Sequence, residues 1–175
     1  MLPAYKKSNI PSIKTNSYML TNRQLQIAFF CLSVVFMASC QPGVVYHEHG
    51  SLPAEGWHYR DGILFEAEIE DTVSLHQLFI DVRNTTEYEY SNLFLFLDIE
   101  FPGNRTIRDT LECVLADRRG QWTGKGSGRI RSNRFLFRDD VWFPESGTYR
   151  FTVYQGMRHD TLKGLSDVGI RIEKK

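Results

Sequence analysis

The chain predicts an all-β fold, an antiparallel β-sandwich of the jelly-roll-like or immunoglobulin-like kind. Three observations carry this. Ile63, Phe65, Ala67 and Ile69 alternate with Glu66, Glu68 and Glu70, the period of two expected of a half-buried strand. Leu93, Leu95, Leu97, Ile99 and Phe101 form one apolar face, while Phe94 and Phe96 add apolar bulk to the other, so this strand is covered on both sides. No stretch beyond residue 40 reads as an amphipathic helix of three turns, whereas Gly, Pro and Asn recur between short apolar runs.

Residues 1–39 read as a leader. Ile27 to Ala38 is an apolar run of about 12 residues, too short for a spanning helix of about 20. It ends in Met37-Ala38-Ser39-Cys40, which resembles the bacterial lipobox, where the signal is cut just before a cysteine that then carries lipid. Cys40 is therefore the expected lipidation site and the first residue of the mature protein. Several acyl chains anchor stably where one is marginal. Met19-Leu20-Thr21-Asn22-Arg23 makes a compact n-region, so translation is expected to begin at Met19. Residues 40–175 then form a single lipid-anchored β-sandwich domain.

Charge and cysteine usage narrow the function. The 175-residue chain has zero formal net charge, but its 21 acidic residues all lie at or after Glu48. From Cys40 onward, 17 Lys and Arg face 21 Asp and Glu, a net of −4. That argues against a nucleic-acid partner, which needs a basic face. Of three cysteines, Cys31 falls in the leader and Cys40 at the processing site, so Cys113 is the one ordinary thiol and no internal disulfide forms.

In order along the mature chain, Gln41-Pro42-Gly43 is a short tether and Val44–His49 a first strand. Pro53, Gly56 and Gly62 mark turns, and the alternating 63–69 strand follows. Leu78, Ile80 and Val82 face inward with Asp81 and Arg83 opposite. The two-sided strand over 92–101 ends at the turn Pro102-Gly103-Asn104. Ile107, Leu111, Cys113 and Leu115 share the next inner face. Residues 116–128 form a glycine-rich loop. Phe135 with Phe137, and Val141 to Pro144, predict two short strands. Tyr149, Phe151 and Val153 make another, residues 155–165 a helical turn, and Val168, Ile170 and Ile172 the closing strand.

Candidate chemistry is sparse. His47-Glu48-His49 places two imidazoles on one side of a strand, which can suit a metal. A site needs a third ligand, and the sequence names none, so the pair reads as polar residues on an edge strand and no metal site is assigned. Gly124-Lys125-Gly126-Ser127-Gly128 lacks the order and the strand–loop–helix context of a phosphate loop and reads as a hairpin loop. Cys113, between Leu111 and Leu115, reads as a core residue rather than a nucleophile. No serine sits in a nucleophile elbow. Asp139 and Asp140 point to opposite faces if extended. No catalytic residue, cofactor or small-molecule substrate is assigned. Arg129, Arg131, Arg134 and Arg138 read as a solvated, salt-bridged hairpin.

Aromatic residues offer the remaining clues. Trp57, Trp122 and Trp142 together are the alternative, glycan-binding reading of a β-sandwich. Phe94 and Phe96, with Phe79 beside them, leave an aromatic patch over which the 116–128 loop is expected to fold; the alternative is a partner surface made of Phe79, Phe94, Phe96 and Trp122.

Several stretches, taken together, resemble the gliding-motility lipoprotein family GldH of Bacteroidetes. They are Tyr90-Ser91-Asn92-Leu93-Phe94-Leu95-Phe96, Asp109-Thr110-Leu111-Glu112, Leu115-Ala116-Asp117, Gly120-Gln121-Trp122-Thr123-Gly124-Lys125-Gly126, Val141-Trp142-Phe143-Pro144, Gln155-Gly156-Met157-Arg158, and the ending from Leu162 to Lys174. The resemblance implies a non-enzymatic, lipid-anchored envelope protein that supports gliding and the associated type IX secretion machinery. It implies partners among other envelope proteins and the membrane itself, and it carries no catalytic residues. Gln41 after the lipidated cysteine and the lack of an acidic run favour an anchor facing the periplasm.

Overall fold

The computed structural model describes residues 43–175. The leader, the processing site and Cys40 lie outside the described residues. Ten strands form: β1 (Val44–Ser51), β2 (Trp57–His58), β3 (Ile63–Ile69), β4 (His76–Thr85), β5 (Asn92–Glu100), β6 (Thr106–Val114), β7 (Ile130–Val141), β8 (Gly147–Gln155), β9 (Thr161–Leu162) and β10 (Leu165–Lys174). No helix occurs among the described residues.

The eight longer strands make two four-stranded antiparallel sheets, β1-β10-β4-β7 and β3-β8-β5-β6. The pairing has a simple logic. β5 and β6 form a hairpin, β4 pairs with β7, β3 with β8, and β1 with β10, as along one long doubled-back ribbon. That ribbon is folded over so that β10 also pairs with β4, and β8 with β5. Among these eight strands, every connection except β5–β6 passes from one sheet to the other. This is the jelly-roll form of the sandwich rather than the immunoglobulin one.

Alternation puts the core between the sheets. The strands with neighbours on both sides supply most of it: Leu78, Ile80 and Val82 on β4, Leu93, Leu95 and Leu97 on β5, Tyr149, Phe151 and Val153 on β8, and Val168, Ile170 and Ile172 on β10. Each fully buried side chain of this kind contributes about 1.5–3 kcal/mol. Cys113 is fully buried, as its position between Leu111 and Leu115 requires. Edge strand β6 is otherwise largely exposed, and Ile107, expected inside, is 44% exposed at its far end.

Two local expectations change. Phe135 to Val141 belongs to one long strand that begins at Ile130, because Arg131 and Asn133 continue its inward-facing row. Residues 155–165 form no helical turn. Gln155 Nε2 donates to the carbonyl of His159 and its Oε1 accepts from Met157 N, and Thr161–Leu162 then pairs with Trp57–His58.

Candidate functional site

The outer face of β1-β10-β4-β7 gathers the most polar side chains that converge on one point. Its rows follow from register. His49 on β1 lies opposite Gly169 on β10, which lies opposite Asp81 on β4, which lies opposite Arg134 on β7. The row on one side runs His47, Arg171, Phe79 and Leu136, and the row on the other runs Ser51, Asp167, Arg83 and Ser132.

Gly169 lets this row close on itself. A Cβ at that position would meet His49 Nδ1 at 2.6 Å, His49 Cε1 at 2.9 Å and the Glu48 carbonyl at 2.7 Å. The imidazole of His49 thus lies across the glycine and reaches Asp81 on the next strand but one, a close approach of the kind strand glycines permit. His47 Nε2 is 3.0 Å from His49 Nε2 and 3.3 Å from Asp81 Oδ2, and His49 Nε2 is 3.9 Å from the same carboxylate oxygen. These three donor atoms lie within 4.8 Å of one another. They are the described residues able to hold a metal ion, and Asp81 is the third ligand type that the sequence alone did not name.

Charged groups brace the cluster. Arg134 Nε donates to Asp81 Oδ1 at 2.8 Å and its Nη2 to Oδ2 at 3.3 Å, which raises the guanidinium pKa and orients the buried carboxylate. Asp167 Oδ1 sits 3.0 Å from His49 Nδ1, and Arg83 is 3.6 Å from the other Asp167 oxygen. Arg171 pairs with Glu173, which also lies 3.8 Å from Arg134. The His47 pKa is lowered, first by burial and then by the positive charge of Arg171 and the neighbouring His49, with Asp81 opposing. His47 is accordingly held toward its neutral form.

The cluster opens into a cleft of about 700 Å³. Thr123, Gly124 and Lys125 from the glycine-rich loop form its far wall, with Ser132 and Asn133 of β7. The loop is a hairpin closed by paired backbone hydrogen bonds between Lys125 and Ser132, with no helix after it. The phosphate-loop reading has no structural counterpart there.

Comparison with known proteins places this fold in a family. The model of the GldH lipoprotein family matches residues 44–172. The chain belongs to the GldH lipoprotein family. A "gliding motility lipoprotein GldH homolog" of Christiangramia forsetii is 36% identical over 155 residues, covering 85% of this chain and 94% of that protein. The gliding motility lipoprotein GldH of Flavobacterium johnsoniae is 31% identical over 151 residues, covering 82% and 93%. A solved structure of infectious bursal disease virus, Gx strain, aligns with 98% of this chain and 39% of that one at 11% identity and a TM-score of 0.31, a likeness that supports no inference.

The residues singled out from sequence scatter over this GldH-family domain. Phe94 and Phe96 share the outer face of β5, but Phe79 lies on the outer face of the opposite sheet, so the three do not form one patch. The 116–128 loop does not cover Phe94 and Phe96. The segment after β8 packs beside them and leaves Phe96 36% exposed: Gly156 N donates to the Phe94 carbonyl at 2.7 Å, and Met157 Sδ accepts from Phe94 N at 3.4 Å. Trp122 is half-buried against the core beside the Ala116 bridge. Trp57 is 1% exposed and donates its indole N–H to the Asp61 carbonyl, whereas Trp142 is 59% exposed and donates to the Thr72 carbonyl.

The arginine cluster is salt-bridged as expected. Arg129 pairs with Glu87, Arg134 with Asp81 and Arg138 with Asp109, while Arg131 donates to the Gly128 and Ile130 carbonyls. Asp139 and Asp140 do not diverge. Asp140 adopts φ 53°, and both carboxylates reach Lys175 Nζ, at 3.1 and 2.5 Å, clamping the C-terminus.

Proposed function

We propose that this chain is a non-enzymatic, lipid-anchored component of the bacterial cell envelope. It is held by lipid on Cys40 with its domain facing the periplasm, and it supports gliding and type IX secretion through protein–protein contacts. Its family membership over residues 44–172, behind a lipobox ending at Cys40, carries this reading. The named relatives are gliding motility lipoproteins.

The alternative glycan-binding reading keeps one of its three rings. Trp57 is spent on the core and Trp122 packs against it, which leaves Trp142 as the one exposed ring of the three. Of the expected partner surface, Phe96 is the aromatic residue most open to a partner, at 36% exposure on the β5 outer face.

Deletion of the gene, with complementation by the wild-type chain and by Cys40→Ala, tests the proposal. Loss of cargo secretion, and of gliding where the cell glides, restored by wild type and not by Cys40→Ala, is the expected result. Normal secretion and motility in the deletion strain would overturn it.

A further inference from the structure

We propose that His47, His49 and Asp81 form a binding site for one divalent transition-metal ion of the zinc class. This inference stands apart from the anchoring and motility reading and does not depend on it.

Geometry is the first argument. Three Zn–ligand bonds of about 2.0–2.2 Å at tetrahedral angles put the donor atoms about 3.3–3.5 Å apart. The observed separations of 3.0, 3.3 and 3.9 Å bracket that value. Two imidazole nitrogens that face each other at 3.0 Å share at most one proton between them. A cation accepting both lone pairs satisfies the pair better.

The supporting groups are the second argument. Metal-bound histidines commonly present their other ring nitrogen to a carboxylate, and metal-bound carboxylates are themselves hydrogen-bonded. The second is present in the Arg134–Asp81 bond, and the first is met in distance. Asp167 Oδ1 lies 3.0 Å from His49 Nδ1. Both atoms are shut off from solvent, and neither makes a hydrogen bond. A carboxylate at that position favours the proton on Nδ1 and leaves the Nε2 lone pair toward the cluster. Arg134 takes mainly Asp81 Oδ1, at 2.8 Å, so Oδ2 is the oxygen turned to the two histidines.

Gly169 is the third. It is the position in the row where any side chain would collide with the His49 ring. Asp81, Asp167 and Glu173 are matched in charge by Arg83, Arg134 and Arg171 around the site. The ion's own charge is therefore to be balanced by an anionic or water-derived ligand drawn from the cleft, where three protein donors leave a tetrahedral position open. Two imidazoles and one carboxylate select late first-row ions over Mg²⁺ and Ca²⁺, which prefer all-oxygen sites.

The test uses the full-length, untagged protein extracted from membranes in detergent, stripped with EDTA and titrated with Zn²⁺ by calorimetry and with Co²⁺ by visible absorption. One equivalent per chain, cobalt ligand-field bands, competition by Zn²⁺ and no competition by Mg²⁺ are expected. His47→Gln and Asp81→Asn should each weaken Zn²⁺ binding roughly tenfold or more. Gly169→Ala, which removes no ligand, should weaken it as well by displacing the His49 ring. Folding of each variant is checked by circular dichroism, and the cobalt spectrum of the unaltered chain stands whether or not a variant folds. No saturable Zn²⁺ or Co²⁺ binding by the unaltered chain would overturn the proposal. So would undiminished binding in folded His47→Gln and Asp81→Asn.

Discussion

The outer face of β1-β10-β4-β7 and the outer face of β3-β8-β5-β6 are built from the same alternation, yet their charges are arranged differently. On the second, ion pairs follow the strand register. Arg150 meets Glu66 and Glu100, its direct neighbours on β3 and β5, at 2.8 and 3.2 Å, and Arg108 meets Asp98, its neighbour across β5–β6, at 2.5 Å. Such cross-strand pairs are the ordinary stabilising unit of a sheet. On the first face, His49 skips its direct neighbour, because that neighbour is Gly169, and converges with His47 on an aspartate one strand farther away. Pairwise matching stabilises a surface. Convergence of three potential ligands on one point builds a site.

Cys113 offers the largest effect with which to probe this contrast. It anchors edge strand β6, on which the Arg108 pair depends. Burial pushes its thiol up from an ordinary value near 9 to about 12. At pH 8 the native thiol should react with an alkylating reagent about a thousandfold more slowly than in denaturant, since reaction follows thiolate. The unfolded chain ionises this thiol first, so its contribution to stability is intact below pH 9 and erodes as pH rises toward 12. Rapid native labelling would show that β6 opens and that the paired face is not fixed.

Asp81→Ala comes next. It leaves Arg134 without its carboxylate and should destabilise the domain by about 1–3 kcal/mol in denaturant titration, the range for losing a charged partner at a buried position. Phe94→Ala, on the other face, removes a half-buried ring from the outer side of β5. It should cost about 1–2 kcal/mol, below the ~3–5 kcal/mol of a fully buried phenylalanine. Smallest of all is Arg150→Gln. Its pairs are exposed, so any loss in thermal midpoint should vanish in high salt. A large, salt-resistant loss there would erase the distinction between the faces.

Much of the strand pattern was legible in the sequence, because one face of each strand must be apolar. The alternation over 63–69 and the two-sided run over 92–101 are β3 and β5, and Asp81 faces away from Leu78, Ile80 and Val82 as the period of two requires. The start of β7 is hidden because Arg131 and Asn133 occupy its inward row, and Asp139-Asp140 interrupt the apolar pattern between Phe137 and Val141. Residues 155–165 looked helical because their structure rests on one glutamine side chain bonding to nearby backbone. Pairing between distant strands leaves no local trace, so neither the jelly-roll order nor the separation of Phe79 from Phe94 could be read. The same reason hid the third donor: His47 and His49 were visible as a pair, but nothing local says that β1 and β4 flank β10. Gly169, alone between Val168 and Ile170 in a buried strand, was the available signal of a close approach.

The proposed envelope role requires that the domain be held at a membrane, and that rests on Cys40. Mass spectrometry of the N-terminal peptide of the protein from native envelopes tests this most directly. The expected peptide begins at Cys40 and carries a diacylglyceryl thioether with an N-acyl chain. A mature protein that retains residues before Cys40, or that begins there with an unmodified thiol, would contradict it.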